Sequence, residues 1–304
     1  MSAAPNPSPF LRLPTEIRLM IYELLLLPPS AEVPLPRNKN TTTAQDSQDN
    51  ADDPNPLVPP RTLQIRTIDP QHVHKHLSSS SSRSTRPTYH ARSTAIGAPR
   101  FSTSGTQPTT YTLRTNPGLQ GATGLLGTCR LVHSEAAAVL YSSYMFDFDT
   151  HIEAVEPFLS ALTTLARRSV TRLGLVKGAL PGEKEWDRAE WKSACEYMAR
   201  ELRREELVLE LGVVAGKPGS REFDGWDGVP ELSVDHFRLA LAGIDFEWVE
   251  QLVVALRGCR DVRVRAVVER CAPPGANEMV AFWVSFSKSV ERAFRVWLRS
   301  MMVG

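Results

Sequence analysis

The sequence has no cysteine pair at metal-binding spacing, no long apolar run, no excess of either charge sign and no nucleophile elbow. Cys129, Cys195, Cys259 and Cys271 are its only cysteines. None has a second cysteine within the about two to four residues that open a zinc knuckle. Each sits in an apolar or helical setting, so buried free thiols in a reducing compartment are expected. The longest apolar stretches, near Ile17 to Leu27 and Met279 to Phe286, are too short or too interrupted to cross a bilayer. Met1 to Pro9 carries neither the basic region nor the apolar core of a secretory signal, so the expected location is intracellular, cytoplasmic or nuclear. The 35 Lys and Arg against 34 Asp and Glu leave a net charge of +1. That is too little for a whole-molecule field drawing the chain to nucleic acid or membrane. No glycine–x–serine–x–glycine occurs, which leaves a serine hydrolase of that type without its nucleophile.

What is present is ordinary globular composition, 42% hydrophobic and 23% charged, distributed unevenly. Pro14-Thr15-Glu16 followed by Ile17, Ile21, Leu24 and Leu25 predicts a helix. Pro14 suits the first turn, Glu16 complements the helix dipole, and the apolar residues recur at helical spacing on a face that must pack on something. Pro28-Pro29 ends it. Residues 29–117 are rich in Pro, Ser, Thr, Asn and Arg. Such a tract buries too little apolar surface to offset its ordering entropy, so most of it is expected to be disordered. Thr62 to Ile68 is the exception, because it alternates like a strand.

Beyond Gly121 the pattern becomes regular. Leu125 to Tyr141 reads as a helix with Cys129, Val132, Ala136 and Leu140 on one side. Tyr144 to Phe148 alternates with three aromatics on one face. Further strands are expected at Val170–Val176, Leu207–Leu211 and Asp261–Val268. Helices are expected within 151–168, 183–204 and 245–256, with a shorter helix or turn at 233–241 and a closing helix over 276–302. This alternation favours parallel strands joined by helical crossovers. Spacing between strands is uneven, so a small α/β sheet and an irregular solenoid of few repeats both fit.

Two blocks carry a family resemblance. The first is Phe10-Leu11-Arg12-Leu13-Pro14-Thr15-Glu16-Ile17-Arg18 with Ile21-Tyr22-Glu23. The second is Leu125-Leu126-Gly127-Thr128-Cys129-Arg130-Leu131-Val132-His133-Ser134-Glu135-Ala136, followed by Leu140-Tyr141 and Phe146. Together they resemble the F-box-like proteins of filamentous ascomycetes. The resemblance implies an α+β or α/β chain with a helical N-terminal cap on a small sheet and a long insertion. The divisions would be 10–28 for the first F-box-like helix, 29–117 for the insertion and 118–304 for the interaction domain, the second F-box-like helix lying at 121–142. It also implies a non-enzymatic adaptor that docks on the Skp-type subunit of a cullin ubiquitin ligase and holds a substrate. The positions matching the docking motif are Leu13, Pro14, Glu16, Ile17 and Ile21, with Leu126, Cys129 and Arg130 in the later helix. An ordinary F-box is nearly continuous, whereas here roughly 90 residues intervene, an insertion whose loop-closure entropy grows only logarithmically. Apolar stripes at helical spacing are equally the mark of core, so the same helices could simply cap the body.

Other candidate chemistry is thin. His72, His74 and His76 would share one side of an extended chain, but nothing beside them fixes a metal geometry. Cys129 and His133 are four apart on a helix with no second ligand pair. Gly118, Gly121, Gly124 and Gly127 lack the preceding strand that a phosphate cradle needs, and Gly212 to Lys217 is one residue short of a P-loop. Glu183, Glu185, Asp187 and Glu190 suit dipole compensation and solvation better than paired-acid catalysis. Basic residues from Arg61 to Arg100, with Tyr89 and Phe101, suit a solvated linker. Arg263 and Arg265 share the strand face opposite the valines and suggest a basic stripe. It supplies the alternative reading, a nucleic-acid or acidic-partner binder. The closing helix has the residue types of a membrane-surface helix, but covering the sheet explains it better. No cofactor, metal or catalytic residue is expected.

Overall fold

A computed structural model describes residues 8–27, 61–68, 88–92, 108–114, 119, 122–178, 185–216, 228–240, 247–268 and 280–303. They form helices α1 (Thr15–Leu26), α2 (Arg130–Ser143), α3 (Val155–Ala161), α4 (Thr164–Arg168), α5 (Glu185–Glu201), α6 (Val234–Ala240), α7 (Glu247–Leu256), α8 (Val280–Ser289) and α9 (Arg295–Met302). The strands are β1 (Thr62–Ile68), β2 (Thr88–Arg92), β3 (Pro108–Arg114), β4 (Met145–Asp149), β5 (Arg172–Gly178), β6 (Val208–Val214) and β7 (Asp261–Val267).

All seven strands join one sheet in the order β2-β3-β1-β4-β5-β6-β7. From β1 to β7 every neighbouring pair is parallel, while β3 runs antiparallel to both β1 and β2. The alternating strand–helix sequence therefore gives the parallel α/β layout that crossover sterics favour. The polar tract departs from expectation. Besides the strand read at Thr62–Ile68, it contributes β2 and β3, which extend the sheet by a hairpin-like pair. The remaining stretches of that tract, including His72, His74 and His76, lie outside the described residues.

Register puts the apolar positions on one face. Leu63, Phe146, Leu173, Leu209 and Val262 stand side by side across five strands. Ile65, Phe148, Leu175, Leu211 and Val264 lie two residues further along their strands, on the same side by the period of two. Each of these is at most 6% exposed and belongs to one core with Leu26, Val132, Leu140, Phe158, Trp191, Met198, Leu252, Phe294 and Trp297. Burying each such side chain contributes about 1.5–3 kcal/mol, so the helical layer is held to this face by the hydrophobic effect. From β4 to β7 consecutive strands are neighbours, and crossovers between parallel strands share one hand as a rule, which places their helices on the same side. The other face carries Gln64, Asp147, Glu210 and Arg263, with Gly174 between Asp147 and Glu210.

The edge at β7 is closed by the chain's last helix. α8 and α9 are continuous through a π-helical segment, Val290–Phe294. The Ala266 N–H, a group an edge strand would leave unpaired, donates to Glu291 Oε1 at 3.0 Å. Val303 forms a parallel bridge with Cys259. The expected single helix over 276–302 is thus present from Val280, with one widened turn. Among the described residues no helix is long and apolar enough to cross a membrane.

Candidate functional site

The two sequence blocks meet at one corner, where α1 packs against α2. A short 3-10 turn, Pro9–Arg12, leads into Leu13, and Pro14 is the N-cap of α1 rather than a first-turn residue. Pro14 offers no capping side chain, but its carbonyl accepts the Arg18 N–H at 3.1 Å. Glu16 sits in the first turn, where its charge suits the helix dipole.

The side of α1 that faces the body is not the one its apolar periodicity indicates. Arg18, Tyr22 and Leu26, four residues apart, are the buried residues of the helix. Ile17, Met20, Leu24 and Leu25 are 42%, 57%, 74% and 47% exposed. The expectation that Ile17, Leu24 and Leu25 mark the packed face is therefore corrected. Ile21 is half-buried.

The physical reason lies on α2. Glu135 accepts bonds from Arg18 Nη2 at 2.6 Å, Arg18 Nε at 2.9 Å and the Tyr22 hydroxyl at 3.0 Å. Arg18 also donates to the Leu13 carbonyl and to Thr15 Oγ1. A fork of guanidinium donors on one carboxylate is among the stronger hydrogen-bonding arrangements, and it lets an arginine replace an aliphatic anchor. Bonding to Arg18 holds the Glu135 carboxyl below its ordinary value of 4.5. Burial, and then the bond to Glu135, push the Tyr22 hydroxyl up to about 12. At the other end of α1 the Tyr144 hydroxyl donates to the Leu26 carbonyl at 2.8 Å and Arg61 Nη2 to the Leu27 carbonyl at 3.2 Å. These satisfy carbonyls that a helix end leaves open. Phe10 packs on Tyr22 with ring centroids 5.9 Å apart.

The second block is broken where a continuous helix was expected. Thr123–Gly127 is a 3-10 turn, and Cys129 is extended as the N-cap of α2. Leu126 is half-buried and its carbonyl accepts from His133 Nδ1 at 2.9 Å. Cys129 is exposed, contrary to the expected buried thiol, because the chain turns at its position before the helix begins. Arg130 is exposed beside it. The Cys129–His133 pair therefore has its imidazole committed to a backbone carbonyl. Among the described residues no three His, Cys, Asp or Glu side chains are grouped to hold a metal. Cys195 and Cys259 are buried, and burial raises their thiols to about 12 and about 11, which keeps them unreactive. Cys271 lies outside the described residues.

Leu13, Pro14, Glu16, Ile17, Ile21, Leu126, Cys129 and Arg130 thus cluster around one helix pair. Arg18, Tyr22 and Glu135, which organise the corner, were not singled out from the sequence. Their only signal is the four-residue spacing of Arg18, Tyr22 and Leu26.

Arg263 and Arg265 lie far along the sheet, exposed on the face opposite the core. Arg263 pairs with Asp261 at 3.3 Å and approaches Glu210 at 3.9 Å. Arg299 reaches Asp261 at 3.3 Å. At the other end of the same face, Arg66 pairs with Asp147 and Asp149 at 3.1 and 3.4 Å, across a register shift where Asp149 takes φ 54°. Acidic groups stand beside Arg66 and Arg263, so the face is mixed in sign rather than uniformly basic, which weakens its pull on a polyanion.

No protein-family model, no curated protein and no solved structure matches the chain.

Proposed function

We propose that this chain is a non-enzymatic protein-interaction module, an F-box-like adaptor whose α1–α2 corner docks on a Skp-type subunit while the α/β body holds a client. The observation that carries the reading is the outward apolar stripe of α1. Ile17, Met20 and Leu24 follow one another at helical spacing and stand in solvent, while the opposite side of the helix is fixed by Glu135, Tyr144 and Arg61. Contiguous exposed apolar side chains rimmed by charge mark interaction surfaces. A helix presented this way suits docking into a partner's hydrophobic groove. The body needs none of these side chains for its own core, so a separate role explains why they are apolar.

The test is calorimetric titration of the full chain with a purified Skp-type subunit from a filamentous ascomycete. Saturable binding is expected, and Met20→Asp with Leu24→Asp should abolish it while leaving circular dichroism and urea unfolding unchanged. A full chain that folds normally and shows no heat of binding would sink the reading.

A further inference from the structure

On the helical layer, α5 and α7 lie side by side and leave an open groove of 510 Å3 between them. Its apolar floor comes from Cys195, Ala199 and Ala255. Small side chains there leave room that a bulkier group could fill. Val254, on the α7 bank of the same groove, projects outward and is 72% exposed. Knob and hole therefore sit on one patch, which is what a two-fold contact requires, since each copy must offer both halves of the fit.

The two banks differ in charge. The α5 bank carries Lys192 and Arg200 around a single Glu196, and the α7 bank carries Glu250 and Gln251. Glu247, one turn before Gln251, accepts a bond from its amide at 3.0 Å. The helices run in the same direction, because each leads into one of the neighbouring parallel strands β6 and β7. A two-fold axis along the helices sets α5 of one copy against α7 of the other. Lys192 then meets Glu247 and Glu250, Glu196 meets the Gln251 amide, and Val254 enters the facing groove. An axis across the helices would instead set α5 against α5 and bring Lys192 against Arg200.

We propose that the groove between α5 and α7 seats a second copy of this chain, in a two-fold contact with each Val254 in the other's groove. Two helices a side is small beside the about 1,600 Å2 of a standard stable interface, so the dimer is weak and concentration-dependent. The site lies on different helices from the α1 stripe, so its failure leaves the adaptor reading untouched.

Sedimentation velocity of the full chain from about 1 to 200 µM tests it, a range in which a micromolar Kd shows as a shift in mass. The weight-average mass should rise towards that of a dimer. Val254→Glu, at an exposed position, should stay monomeric throughout. Lys192→Glu or Glu250→Lys alone should weaken association by about tenfold or more, and the two together in one chain should restore it. A wild-type monomer at the top concentration overturns the proposal. So does self-association that survives Val254→Glu, or a double variant no tighter than the singles.

Discussion

Two residues of α1 make opposite predictions under the apolar periodicity of the helix and under its observed packing. Leu24 belongs to the stripe that periodicity would bury, and Tyr22 does not. In the structure Tyr22 is fully buried and Leu24 is 74% exposed. Truncating a buried aromatic to alanine costs about 3–5 kcal/mol. Tyr22→Ala should therefore lower stability by that amount. Tyr22→Phe keeps the ring against Phe10 and loses only the bond to the Glu135 carboxylate, about 1.5–3 kcal/mol for a bond to a charged group, since Glu135 retains both Arg18 bonds. Leu24→Ala should fall within about 0.5 kcal/mol of wild type, as surface changes do. Urea unfolding followed by tryptophan fluorescence and circular dichroism measures all three. In melting temperature, each kcal/mol corresponds to about 2–4 °C for a chain of this size. If Leu24→Ala costs more than Tyr22→Phe, α1 is turned the other way and the stripe is core after all.

Acid should loosen the same corner. Glu135 titrates below its unfolded value, so between the two values the unfolded chain binds more protons and stability rises with pH. The contribution is complete above the ordinary 4.5 and is lost as pH falls below it. Hydrogen exchange of α1 amides at successive pH values should show protection lost there first, and Glu135→Gln should flatten that dependence. Gly212 sits where an added Cβ would come within 2.7 Å of Val267 Cγ2 and 2.8 Å of Val176 Cγ2. Gly212→Ala should thus cost about 1–3 kcal/mol through overpacking, whereas Gly124→Ala, with nothing within 4 Å, should change the urea midpoint little. In a Cys271→Ser background, a thiol-specific chromophore should titrate Cys129 at once and Cys195 and Cys259 only on unfolding. Simultaneous release of all three would contradict the burial described.

The sheet was readable where strands alternate beside a helical pattern. β4 through β7 announce themselves by Phe146 and Phe148, Leu173 and Leu175, Leu209 and Leu211, and Val262 and Val264, because a strand covered on one face leaves a period of two. β2 and β3 sit at the sheet's far edge, β3 rich in Thr and both with little apolar content. Their place depends on pairing with β1, a non-local term that no window of sequence contains. The orientation of α1 was hidden for a related reason. Periodicity assumes that the apolar side is inside, and here a carboxylate 117 residues away makes an arginine the anchor. The break at Cys129 was equally invisible, since Leu125 to Leu140 keeps helical spacing across it. The residues of the two blocks were legible as a group that comes together in space, but the side chains that hold the group together were not.

Strand order has a consequence for how the molecule comes apart. β4 to β7 each lie beside the next strand in the chain, joined by helical crossovers that are all shorter than the stretch between β1 and β4. β1 joins β4 only after a detour of 76 residues from Ile68 to Met145, and α1 is joined to α2 across a longer one. The entropy of closing those loops is offset only by contacts at the N-terminal end, which makes that end the first to detach under mild stress. Brief proteolysis should accordingly trim the chain from its N-terminal side and leave a resistant four-strand remnant, with the helix that carries the apolar stripe released as one piece.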